Sequence, residues 1–144
     1  MKKLLIALFL LISINLKAQI YAGASLSTIG YGFSAGFEEQ NINVEAFMSH
    51  SKAEAPISLY GIKTGYTYEF SKENSYTVSA NCGLVHYTRG IFDKYNDEIG
   101  KIKQAVPLFE LQAGKNMGSG RLYLNSFFIY DKIYYGINMR VYFK

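Results

Sequence analysis

The chain has 144 residues, about one domain's worth, with 49% hydrophobic and 16% aromatic residues and a net charge of +4. One cysteine, Cys82, excludes an intramolecular disulfide framework. Lys2, Lys3 and Lys17 lie in an N-terminal stretch without acidic residues, and the rest of the chain holds twelve basic against eleven acidic residues. No basic footprint for phosphate remains, so nucleic acid is not an expected partner.

The chain opens with Met1-Lys2-Lys3, an apolar run from Leu4 to Leu16, and Lys17-Ala18-Gln19. A basic start, a short apolar stretch and a small residue at the cut are the parts of a secretory signal peptide. Residues 1–18 are therefore read as a cleaved signal, and 19–144 as one domain. Cleavage after Ala24 is the competing site, and it would trim the first strand. A retained anchor helix is disfavoured, because the run falls short of the ~20 residues needed to span a bilayer. No cysteine follows it to carry a lipid anchor.

Beyond the signal the apolar residues alternate, as strand residues on opposite faces do. Eight strands are expected: Ile20 to Leu26, Tyr31 to Glu38, Ile42 to Ser49, Ser58 to Phe70, Tyr76 to Leu84, Ala105 to Gly114, Arg121 to Tyr130 and Tyr134 to Phe143. In the last, Tyr135, Ile137, Met139, Val141 and Phe143 share one face, while Gly136, Asn138 and Arg140 take the other. In the seventh, Phe127 and Ile129 fall on the polar face, which alternation alone does not explain. Most connections are short enough for hairpins. The longest, Arg89 to Gln104, is read as an exterior loop. Pro107 conflicts with an interior strand position, and the reading places it near a strand start.

Alternation does not say which face is outside. A soluble lipocalin-like carrier would bury the apolar face, and a membrane barrel would expose it. The polar face is rich in glycine, including Gly23, Gly32, Gly36, Gly61, Gly65, Gly83, Gly114 and Gly136, which suits the narrow interior of eight strands. On the apolar face, aromatic residues gather near strand ends, as in the two girdles of an outer-membrane barrel. The expected fold is all-β: an eight-stranded antiparallel up-and-down transmembrane β-barrel, located in an outer membrane.

From Ile20 to Lys144 the chain resembles the small outer-membrane proteins of the A and X type. The likeness rests on the signal, the alternation and the last strand, Tyr135-Gly136-Ile137-Asn138-Met139-Arg140-Val141-Tyr142-Phe143. It implies membrane lipid as surroundings and the barrel-assembly machinery as a partner during biogenesis. In such families that machinery recognises a C-terminal strand ending in an aromatic residue. Here Phe143 is followed by Lys144, a one-residue departure.

The inward set contains Glu45, Lys63, Glu69, Glu110 and Arg140, with Asn81, Gln112, Asn125 and Asn138. Charges away from bulk water need partners, so Lys63 is expected to pair with Glu45, and Arg140 with Glu110 across the lumen. The set reads as a structural network, with a narrow channel as the alternative. Asp93, Tyr95, Asp97 and Glu98 belong to the exterior loop, where an unidentified surface ligand would bind. Their spacing matches no calcium loop, and no metal or cofactor is expected. His50 and His86, with Ser49, Ser51 and Asp93, are the residues a rim-site hydrolase or acyltransferase would use. Without their geometry, the expectation is a non-enzymatic barrel with a structural or surface-interaction role.

Overall fold

The computed structural model describes residues 18–51, 56–70, 75–92, 98–130 and 132–143, with the side chain of Glu98 excepted. Residues 1–17 of the expected signal lie outside these, as do Asp93, Tyr95 and Asp97 of the exterior loop. Among the described residues there are eight strands: β1 (Gln19–Ser27), β2 (Tyr31–Glu39), β3 (Ile42–His50), β4 (Ile57–Glu69), β5 (Tyr76–Phe92), β6 (Glu98–Met117), β7 (Gly120–Ile129) and β8 (Lys132–Phe143). Each pairs antiparallel with the next, and β8 closes on β1, giving an up-and-down barrel.

The tight turns follow from local chemistry. Gln40 and Asn41 both take positive φ, 47° and 74°, as a two-residue type I′ hairpin requires. Gly118 opens the β6–β7 turn at φ 69°.

Closure staggers the strands. The row leaving β1 at Gln19 runs through Glu38, Asn43, Gly65, Asn81, Glu110, Phe127 and Tyr134. It returns to β1 beyond Ser27, a stagger of about ten residues, so a hydrogen-bonded row climbs the wall as it goes round.

The orientation is apolar-out. Ile62, Leu111 and Leu124 are 62%, 63% and 65% exposed, whereas Arg140 and Lys63 are 0% and 5% exposed. A soluble lipocalin-like carrier would need the reverse. Aromatic rings stand at both ends of the outer face, with Tyr31, Tyr60 and Tyr135 toward one rim and Tyr68, Phe70, Tyr76 and Phe143 toward the other. From Tyr60 to Phe70 the chain advances about 33 Å, or about 25 Å along a barrel axis inclined by roughly 40°. That height matches the apolar band of an outer-membrane barrel, about 25 Å.

Two expected boundaries are corrected. The segment Arg89 to Gln104 is mostly not a loop: β5 continues to Phe92 and β6 begins at Glu98, with a bulge at Ile91/Phe92. Pro107 is accordingly far from the start of its strand. It stands one residue past Leu108↔Ile129, the last β6–β7 pair, where β6 leaves the ring and pairs with β5 alone. A missing donor is tolerated at such an edge.

Close approach explains why the polar face needs some of its glycines. At Gly65 a Cβ would run into Ala80 O and Asn81 Oδ1, and at Gly36 it would come within 2.7 Å of Tyr21 Oη. Gly65→Val should therefore destabilise the refolded barrel by about 1–3 kcal/mol through overpacking. Gly100→Ala, where a Cβ would meet nothing closer than 3.9 Å, should leave it unchanged. Urea unfolding in detergent micelles, followed by circular dichroism, compares the two.

Candidate functional site

The lumen holds a neutral four-residue ion cluster built from four strands. Lys63 of β4 lies between two carboxylates, with Nζ 2.8 Å from Glu45 Oε1 on β3 and 2.6 Å from Glu110 Oε2 on β6. Arg140 of β8 reaches Glu45 Oε2 at 2.7 Å. The Lys63–Glu45 pair is as expected, because the two residues are direct register partners.

The expected Arg140–Glu110 pair does not form. The stagger sets Arg140 beside Gly23 and Arg121, nearer the chain termini than Glu110, and Glu45 lies within its reach. Gly36 clears the intervening wall and leaves room for the Tyr21 ring. Arg140 is then held between two rings, 4.7 Å from the centroid of Tyr21 and 4.8 Å from that of Tyr123. Such stacking suits a weakly hydrated guanidinium.

Each carboxylate has further donors. Tyr21 Oη donates to Glu45 Oε2 at 2.9 Å, Asn125 Nδ2 to Glu110 Oε1 at 2.8 Å, and Asn81 Nδ2 to Glu110 Oε2 at 3.2 Å. The contacts of Lys63 Nζ and Arg140 Nη2 with Glu45 are close charge contacts rather than directed hydrogen bonds. Two buried cations against two buried anions leave no net charge, and this compensation makes their burial tolerable.

Glu69 does not join the cluster. It is exposed at the rim nearest the termini, where Asn116 Nδ2 donates to it at 2.9 Å. A second ion pair, absent from the expected set, lies toward that same rim. Arg121 Nη1 contacts Glu38 Oε1 at 2.6 Å and Oε2 at 2.8 Å, and Tyr142 Oη donates to Glu38 Oε2 at 2.9 Å. Its signal was present in the alternation: Glu38 ends the polar face of β2, and Arg121 shares parity with Tyr123 and Asn125. Several neighbouring amides, including those of Gln112 and Asn138, keep buried atoms with no partner among the described residues. Left dry, each would cost about 1–3 kcal/mol.

The other half of the lumen, toward the β1–β2, β3–β4, β5–β6 and β7–β8 connections, is apolar. Ile29, Leu59, Val85, Tyr87, Val106, Leu108 and Ile129 form a buried core, with Phe47, Ile57, Phe127 and Tyr134 packed against it. This accounts for Phe127 and Ile129 on the nominally polar face of β7: they point inward, into an apolar plug. Ile29, in the β1–β2 turn, is 4% exposed and folds in to cover it.

The structure does not bring the two histidines together. Both side chains lie on the outer face, two strands apart. His86 stacks on Tyr60 at 4.7 Å, and His50 Nδ1 lies 2.9 Å from Ser58 Oγ. Ser49 Oγ donates to Tyr31 O instead, and Asp93 is outside the described residues. Cys82 is exposed on the outer face, as a small apolar side chain can be.

Removing one partner of a buried ion cluster strands the rest, typically at a cost of about 3–5 kcal/mol. Glu45→Ala should lower barrel stability by that order, and Glu69→Ala should leave it unchanged. The urea concentration at which the heat-modifiable gel shift is lost measures both.

No protein-family model matches the chain, and no curated protein is significantly similar to it. Solved structures are similar in fold. The N-terminal β-barrel domain of OprF from Pseudomonas aeruginosa superposes with a TM-score of 0.62 at 13% identity, covering 88% of this chain and 96% of that one. Ail, the attachment invasion locus protein of Yersinia pestis, crystallised with the heparin analogue sucrose octasulfate, gives 0.56 at 10% identity, covering 87% and 96%. Ail in a phospholipid bilayer nanodisc gives 0.56 at 7% identity, covering 88% and 100%. The chain therefore has the fold of the small eight-stranded outer-membrane barrels.

Proposed function

We propose that the protein is a non-catalytic outer-membrane barrel that acts as a rigid platform for recognition at the cell surface. The observation that carries this reading is the β5–β6 hairpin. β6 runs on for ten residues, Glu98 to Pro107, beyond its last pair with β7, and stays paired to β5 throughout apart from the bulge. β4 flanks β5 as far as Arg89, so the closed barrel supports the base of this hairpin, as rigid scaffolds support recognition loops. With an even number of strands and both termini on the periplasmic side, the projection faces the exterior. The apolar outer band supports a place in lipid, and delivery there would need the barrel-assembly machinery.

The hairpin stem carries Arg89, Lys101 and Lys103, and its tip carries Asp93, Asp97 and Glu98. The stem charges suit an anionic partner, and the fold relative holding a sulfated sugar makes a polyanion the first probe. Cells displaying the protein should be retained on immobilised heparin and released by sucrose octasulfate. Lys101→Glu/Lys103→Glu should reduce retention several-fold. Equal retention of wild-type, variant and empty-vector cells would remove the hairpin stem from this role.

Membrane placement is tested separately. Ala35 is exposed on the outer face of β2, between Phe33 and Phe37. An arginine near the bilayer midplane of a barrel costs about 2–4 kcal/mol, so Ala35→Arg should reduce the folded, membrane-extracted fraction on heat-modifiability gels. Ser34→Ala, facing inward, should not. A soluble pool released by osmotic shock would contradict the membrane assignment.

A further inference from the structure

The two halves of the lumen have opposite chemistry. Toward the termini, buried polar atoms lack partners among the described residues: Arg140 Nε and Nη1, both amide atoms of Gln112, and Asn43 Oδ1, Asn138 Oδ1 and Thr77 Oγ1. Toward the exterior connections, the plug around Leu59, Leu108 and Ile129 is closed, each of these being no more than 2% exposed. We propose that the lumen is a blind vestibule. Water occupies its terminus-side half, and the apolar plug, rather than the ion cluster, seals it against ion passage.

The orphaned atoms identify the ligand as water. Arg140 and Gln112 Nε2 supply donors, while Asn43, Asn138, Thr77 and Gln112 Oε1 supply acceptors. Mixed donors and acceptors within one half of the lumen suit a molecule that does both. An anion would find the carbonyl oxygens repulsive, and a cation would find Arg140. On the plug side of the cluster lies a cavity of about 40 Å³, lined by Ser25, Ser34, Glu45 and Asn138 and by the plug residues Leu59, Leu108 and Phe127, room for about three waters. Of the orphaned groups named above, Asn138 alone lines it, so water at the others follows from their unmet hydrogen bonds. Half-buried Arg121 and Tyr142 stand at the terminus-side entrance.

The seal follows from the same division. Breaking one pair of the ion cluster exposes groups already surrounded by polar side chains, and such a gap can hydrate. The plug offers an ion no replacement for its hydration shell, and narrow apolar constrictions exclude water. Ile29 closes it from above, so the barrier is continuous across the lumen.

Planar-bilayer recordings on the refolded full-length mature barrel test the seal. The wild type and Lys63→Gln/Glu110→Gln should both be silent. Leu59→Ser/Leu108→Ser should give stepwise conductance at least tenfold above the wild-type baseline, and Ile129→Thr serves if the double variant does not fold. Conductance from the Lys63/Glu110 variant, or silence from a plug variant that retains its gel shift, overturns the proposal.

Hydroxyl-radical footprinting of the wild type tests the hydration and needs no variant. Tyr21 and Tyr123, both 0% exposed, should be oxidised by radicals from adjacent water, while Leu108 and Ile129 should be spared. Protection of both tyrosines would refute a hydrated half.

Discussion

Closure of eight strands into one ring is the constraint on which the rest of this molecule depends. It satisfies the backbone donors and acceptors of the strands within the wall, a requirement of any structure that spans hydrocarbon. It also leaves an interior only wide enough for side chains. Inward residues therefore cannot be solvated individually. They must neutralise one another or pack together, and this barrel does both at different heights.

Near mid-height the solution is electrostatic. Lys63 and Arg140 converge on Glu45, Lys63 continues to Glu110, and amides and Tyr21 satisfy the remaining carboxylate oxygens. Glycine at positions such as 36 and 65 gives the large inward side chains of neighbouring strands the space to cross. Higher up the solution is the one soluble proteins use, a small apolar core contributed by β4, β5, β6, β7 and the Ile29 turn. The outer face needs no such device, since the surroundings proposed for it are themselves apolar.

The projecting hairpin departs from the rule that strands end where the barrel ends. Above Pro107, β6 pairs only with β5, and its other edge is open. Exposed strand edges are usually shortened, charged or covered, and Lys101 and Lys103 charge this one. A charged, extended edge on the exterior side fits contact with other molecules better than it fits barrel stability, to which the ring below already contributes its pairing.

The sequence by itself determined the class of the fold and the side of the wall on which nearly every strand residue stands. Both follow from a period of two, which needs no knowledge of neighbours: Ile137 and Arg140 are assigned opposite faces by counting. Direct neighbours were legible where register was simple, as for Lys63 and Glu45. Height along the barrel was not legible, because it depends on the stagger accumulated around the ring. Only closure shows that Arg140 meets Glu45 instead of Glu110, that Glu69 emerges at the rim, that Arg121 finds Glu38, and that Phe127 and Ile129 meet Leu59 and Leu108 in a plug. Contacts across a lumen join residues far apart in the chain, and which of them share a level is a property of the closed cylinder rather than of any one strand.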